Sequence, residues 1–386
     1  MKMFLLGAGA SADAGLATSV KMTRAIAERL GRGSYRNPAG QLLHAVIGAI
    51  VQHDTSRGGD AFDVPDVERV FSAVTTLSRR DSLDISAFVE RWNGNVDAAT
   101  GPSGLPETWA REFRDSLYGE HAGASELQSA FEDGVFALTQ PTSDTLFLEL
   151  ERQMLAALVQ VLRVEPSRVT YLSPLVNASG LQAVATLNYD LTIETASEQL
   201  GLSFDTGLDQ WRGGYGWQWR HDVDVRLLKL HGSLDYALHH ARPRKRRILS
   251  DHLVRVNDEI AANPAMVFGL GSKLRSDGPF LAMLVELDRL LAETHWLTIV
   301  GYSFGDRHIN AALTRWINSD IADRISIVNP EIEKWTSGDV APSYFSTLSQ
   351  AASGGGFEFG RHATWAPLQL DLLSVGAAEG LATLHG

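Results

Sequence analysis

The chain has 386 residues, enough for one large domain or two, and its 44% hydrophobic and 21% charged content is that of a folded globular protein. A formal net charge of -12 argues against a surface built wholly for nucleic acid. The lack of cysteine excludes disulfides, thiolate metal sites and a cysteine nucleophile, and it fits a reducing compartment.

Met3 to Leu6 form a short apolar strand that runs into Gly7-Ala8-Gly9-Ala10-Ser11, and a helix is predicted from Ala12 to Leu30. Such a turn is an anion site, because backbone N–H groups and the positive end of the helix dipole converge on it. Glycine lets the backbone come close to a diphosphate. The turn departs from the G-x-G-x-x-G fingerprint: Ala12 stands where the third glycine belongs, and the next glycine is Gly15. Its alternative reading is a strand-to-helix turn packed for structure alone. The apolar start is not read as a signal peptide, since cleavage would remove the first strand and the turn. The longest apolar stretch, Leu281 to Val300, carries Glu286, Asp288, Arg289, Glu293 and His295, so no bilayer span is predicted and a cytoplasmic location is expected.

Beyond a break at 31–38 the periodicity turns helical. Amphipathic helices are predicted over Leu42–Gln52, Val64–Leu77, Ile85–Trp92, Pro106–Leu117 and Asp144–Leu162. Four near-continuous apolar runs follow: Ala183–Leu187, Arg226–Leu230, Trp296–Val300 and Arg324–Val328. Runs of that kind suit strands of a parallel sheet buried on both faces. The fold expected is α/β, a Rossmann-like parallel sheet over 1–38 and 168–386, with a large α-helical insertion over 39–167.

Each run ends in a polar cluster, where ligands bind in such sheets. The clusters are Asn188-Tyr189-Asp190, His231-Gly232-Ser233, Gly301-Tyr302-Ser303 and Asn329-Pro330-Glu331. Singly, Asn188 or Asp190 reads as a helix cap and His231 as a packed histidine. Asp306 reads as the cap of a helix that begins near His308.

Taken in order, six elements carry a resemblance. They are the Gly7–Ser11 turn with Gly15, Thr186–Asp190, Lys229–Ser233, Val267–Gly269, Gly301–Asp306 and Val328–Glu331. The chain resembles the sirtuin-like NAD-binding superfamily, and within it the SIR2-like NADases of bacterial antiphage defence. It departs from the deacylases of that superfamily. Their Pro-Asp-Phe-Arg continuation is absent at Ala17–Val20, their four-cysteine zinc module is missing, and Leu187 replaces a glutamine. The resemblance implies an NAD+ glycohydrolase that needs no metal. Asn188 would orient water or the ribose, Asp190 would accept from the nicotinamide carboxamide, and His231 would act as general base. Gly7, Ala8, Gly9, Ala10, Ser11 and Thr186 would bind NAD+, with Ser11 and the N–H groups of Ala8 to Ser11 facing the diphosphate. Gly301, Ser303 and Asn329 would hold the adenosine end.

The resemblance further implies a gated, NAD-depleting role in abortive infection. Control would come from homo-oligomerisation or from a partner in trans, a HerA-type ATPase or a short Argonaute-type protein. The basic run Arg242–Arg247 is either a solvated loop or a contact for nucleic acid or an acidic partner. The aromatic stretch Trp211–Trp219 either flanks the nucleotide or packs a lid or interface. The rival readings are an NAD-dependent deacylase or ADP-ribosyltransferase, and a non-catalytic NAD or ADP-ribose sensor.

Overall fold

The computed structural model describes residues 1–31, 38–88, 93–94, 96, 143–211, 214, 216–239, 252–256, 260–261, 264–266, 279–337, 341–353 and 368–386. They divide into two compact units, Met1–Thr18 with Val159–Gly386, and Ser19–Leu158.

The first unit is built on strands β1 (Lys2–Leu6), β2 (Leu181–Thr186), β3 (Phe204–Asp205) and β4 (Val225–Lys229). A side hairpin and its partner follow as β5 (Gly232–His239), β6 (His252–Arg255) and β7 (Pro264–Met266). The chain then returns to the main sheet with β8 (Trp296–Val300), β9 (Arg324–Val328) and β10 (Gln369–Leu373). Seven strands pair in the order β10-β9-β8-β1-β2-β4-β3, every pairing parallel. The other three form a small antiparallel sheet around β5.

Alternation along the strands explains their apolar runs. Met3, Leu5, Ala183, Ala185, Leu228, Ile299 and Ile327 enter one core, while Phe4, Leu6, Val184, Leu227, Val300 and Val328 enter the other. A strand covered on both faces needs apolar residues at every position. The helices of both units, in chain order, are α1 (Ser19–Gly31), α2 (Pro38–Thr55), α3 (Val67–Leu77), α4 (Ser143–Val161), α5 (Ser173–Val176), α6 (Thr192–Gln199), α7 (Phe280–Leu291), α8 (Arg307–Ile317), α9 (Ile332–Ser337), α10 (Ser343–Ser353) and α11 (Ala377–His385). Helices α7 and α8 fill the first core, α6 and α11 the second. This is the expected Rossmann-like α/β architecture. β8 and β9 keep their predicted bounds, and β2 and β4 begin one or two residues earlier.

The described residues of the unit Ser19–Leu158 are helical or in turns and connections, with no strand among them. In it Asp66 caps α3 by accepting from Arg69 N at 2.8 Å, and Thr23 Oγ1 donates to Pro65 O at 2.8 Å. The predicted helix Ile85–Trp92 is a 3-10 turn over Asp84–Phe88, and its remainder lies outside the described residues. So do Pro106–Leu117, Val267–Gly269 and the basic run Arg242–Arg247.

One expectation is corrected. No continuous helix runs from Ala12 to Leu30. Ala8–Ser11 form a single 3-10 turn, Gly15 takes a left-handed φ of 81°, and α1 starts only at Ser19. A left-handed residue ends any right-handed helix, so the helix dipole does not reach the glycine turn. Among the described residues no helix is long and apolar enough to cross a membrane.

Candidate functional site

Parallel strands put all their carboxyl ends on one edge. The chain leaves β1 for β2 on one side and returns to β8 on the other, so the switch point of the sheet lies between β1 and β8. There the two strand-end turns touch. Gly7 N donates to Val300 O at 2.9 Å and Gly9 N to Gly301 O at 2.9 Å. Gly301 has φ of 63°, and a Cβ on it would stand 2.2 Å from Ala10 N and 2.3 Å from Gly9 C. The glycines are therefore required by backbone-to-backbone packing. Ala10 N donates to Gly7 O at 2.9 Å. The amides of Gly9 and Ala10, expected to face a diphosphate, are thus spent within the protein.

Asn188, at the end of β2, stitches β2 to that turn. Its Nδ2 donates to Gly7 O at 2.9 Å and to Ser11 Oγ at 3.0 Å, and its backbone N donates to Thr186 Oγ1 at 3.0 Å. Ser11 Oγ lies 3.4 Å from Thr192 Oγ1, which donates to Asp190 Oδ1 at 2.7 Å. The same oxygen accepts from Thr192 N at 3.1 Å, closing an Asx turn that opens α6. Asp190 thus has a fold role that the expected carboxamide contact did not include. Tyr171 Oη donates to Ala10 O at 2.6 Å. Burial, with the charges of Asp190 and Asp13 nearby, pushes this phenol well above its usual range, so it remains a donor.

The other half of the edge is built around His231, in the tight connection from β4 to β5. Its Nε2 lies 3.0 Å from Asp306 Oδ2, with side-chain exposures of 6% and 4%. Asp306 also caps α8, accepting from His308 N at 2.9 Å through Oδ1. One carboxylate serves both the cap read from the sequence and a pairing that it did not reveal. Asp306 N donates to Tyr302 Oη at 3.0 Å, and Tyr302 Oη donates to Asn310 Oδ1 at 3.0 Å, which fixes the loop. The Tyr189 ring lies 6.3 Å from that of His231 and links the two halves.

Of the residues expected at the adenosine end, Ser303 is exposed beside Phe304, a non-glycine residue with φ of 58°. Asn329 is buried and holds its neighbours: Nδ2 donates to Tyr302 O at 3.2 Å and Oδ1 accepts from Glu331 N at 3.0 Å. Trp211 and Trp217 belong to the core, and Trp219 Nε1 donates to Glu286 Oε1 at 2.6 Å. Among the described residues no three His, Asp or Glu side chains are grouped to hold a metal.

Residues 182–334 match the SIR2-like domain family. That stretch runs from β2 to α9 and contains Asn188, Asp190, His231, Gly301, Ser303, Asp306 and Asn329. The match supports placing this region in the SIR2-like superfamily, whose domains bind NAD+, and points to NAD-related chemistry in general. Comparison with curated proteins gives no match.

Proposed function

We propose that the protein hydrolyses NAD+ at the bond between nicotinamide and ribose, giving ADP-ribose and nicotinamide. The observation that carries this is the buried His231–Asp306 pair, 3.0 Å apart, at the carboxyl edge of a sheet with SIR2-like sequence. A carboxylate on Nε2 fixes the tautomer: Nε2 carries the proton and Nδ1 the lone pair. Asp306 also stabilises the imidazolium once it forms.

The C1′–N bond breaks with its electron pair leaving on nicotinamide, and the ribose passes through an oxocarbenium-like state. Water attacks C1′ and gives its proton to His231, from which the proton returns to solvent. Asn188 has both amide protons committed to Gly7 O and Ser11 Oγ. What it offers the substrate is its carbonyl oxygen, an acceptor for the attacking water or a ribose hydroxyl. The lack of cysteine and of the Pro-Asp-Phe-Arg element favours hydrolysis over deacylation.

The biological setting that fits is an NAD-depleting effector of antiphage defence, held inactive until an oligomer or a partner such as a HerA-type ATPase releases it. The decisive assay follows NAD+ and nicotinamide by chromatography, with and without acyl-peptide and candidate partners. Peptide-independent release of nicotinamide is expected. Strict dependence on peptide would give the deacylase reading, and binding without turnover under every condition would give the sensor reading.

A further inference from the structure

Lys229 is the residue of the sheet that burial alone least explains. It is the last residue of β4, an interior strand between β2 and β3, and its neighbours Leu227 and Leu228 are wholly buried. Its own side chain is 0% exposed. Removing an ammonium from water costs several kcal/mol, on the order of what a paired carboxylate returns, so such a pair adds little stability over an apolar residue. Lys229 Nζ makes two bonds. It donates to Glu194 Oε1 on α6 at 2.7 Å and to the main-chain carbonyl of Asp190 at 2.6 Å. The preceding carbonyl is held from the same direction, by Leu234 N to Tyr189 O at 3.0 Å. Two consecutive carbonyls of the Asn188–Asp190 loop are therefore gripped, one from the end of β4 and one from β5, while the Asn188 side chain grips the glycine turn.

A second ion pair lies in the same neighbourhood, Arg255 with Asp235, Nε to Oδ2 at 2.6 Å. Burial and Asp235 raise the Glu194 pKa, and Lys229 opposes that rise. What Lys229 Nζ supplies here is two hydrogen bonds, one to a side chain of α6 and one to the main chain of the Asn188–Asp190 loop.

We propose that Lys229 is a positioning residue of the candidate site: held by Glu194 on one side, its Nζ anchors the Asp190 carbonyl and so fixes where Asn188 and its acceptor oxygen stand. This rests on the hydrolase reading above only for its effect on rate.

The test pairs substitutions so that no charge is stranded. In Lys229→Met with Glu194→Leu both charges go while side-chain volume is kept, a change buried ion pairs tolerate. The expected result has three parts. The Tm stays within a few degrees of wild type. Hydrogen exchange measured by mass spectrometry rises in peptides covering 187–191 and not in those covering β1 or β8. NAD+ turnover falls at least tenfold in kcat with KM changed less than threefold, since a displacement of about 1 Å costs on the order of a hundredfold.

Unchanged exchange at 187–191, or a rise spread over the whole sheet, would overturn the proposal. So would unchanged kcat in a variant of an active wild type. If the wild type itself leaves NAD+ intact, the hydrolase reading fails while the exchange pattern still decides the anchor. Should the apolar pair not fold, Lys229→Gln with Glu194→Gln keeps a polar pair in place without an ammonium, and the same outcomes decide.

Discussion

His231 and His385 sit at opposite edges of one sheet, and their surroundings are opposite too. His231, past the carboxyl end of β4, has a carboxylate on Nε2. His385, in α11, packs at the amino edge, its ring 4.8 Å from Phe4 and 4.7 Å from Trp296, with Thr298 Oγ1 3.1 Å from its Nε2. Partial burial, with Lys2 and Arg324 nearby, pushes its pKa down to about 4. Both cations also lie over Trp296, at 4.5 and 4.1 Å. One imidazole faces an anion, and the other lies half-buried beside two cations. Residue type therefore says little here: burial first, and the sign of the neighbouring charge second, set what each ring meets.

The sharpest attempt to break this contrast is His231→Ala. Loss of the general base should lower NAD+ turnover by ~10²–10⁴ with the fold intact by circular dichroism. His385→Gln should leave turnover unchanged in the same assay, and an equal loss in both would erase the distinction. Asp306→Asn comes next. Asparagine caps a helix as well as aspartate, so stability should change by less than about 1 kcal/mol in urea unfolding. Turnover should still fall about 10- to 1,000-fold, because the amide neither fixes the tautomer nor stabilises imidazolium.

Gly301→Ala tests whether the carboxyl edge rests on the contact between turns. A left-handed φ and a Cβ 2.2 Å from Ala10 N should cost at least about 2 kcal/mol in urea unfolding. The smallest effect is the pH dependence at the amino edge. His385 protonates near 6.5 when unfolded and near 4 when folded. Stability it permits above pH 6.5 is lost progressively as pH falls toward 4. Wild type should therefore lose more Tm between pH 7.5 and 5 than His385→Gln.

Much of this was legible in the chain. β8 and β9 are mostly apolar, broken only by Thr298, Ser326 and the leading Arg324, because both faces are covered, so their bounds follow from the sequence. β3 and β10 do not announce themselves. One is two residues long, and the other, Gln369-Leu370-Asp371-Leu372-Leu373, lies at an edge where polar residues are tolerated. The predicted helix after the glycine turn failed at Gly15, whose left-handed φ of 81° breaks it, while alanine-rich composition speaks only for local propensity. At the carboxyl edge, the strand-end clusters held Asn188, Asp190, His231, Tyr302 and Asn329, while Tyr171 and Thr192, which bond to the same turn and loop, carried no signal of their own. What they could not show was pairing. Asp306 reaches back 75 residues to His231, and the cap it makes hid that second duty. Lys229 carried the one available signal, a charge inside the apolar run Arg226–Leu230.

The carboxylate of Asp13, just past the glycine turn, accepts from Ala378 N at 2.7 Å, capping α11 across 365 residues of chain. On a ribosome adding ~5–20 residues per second, the turn would wait on the order of 20–70 s for that partner. The central strand β1 meanwhile has an open flank until β8 emerges. A chain still being made thus holds an incomplete carboxyl edge, its glycine turn unpaired on one flank until β8 emerges and Asp13 without its α11 partner until residue 378 does.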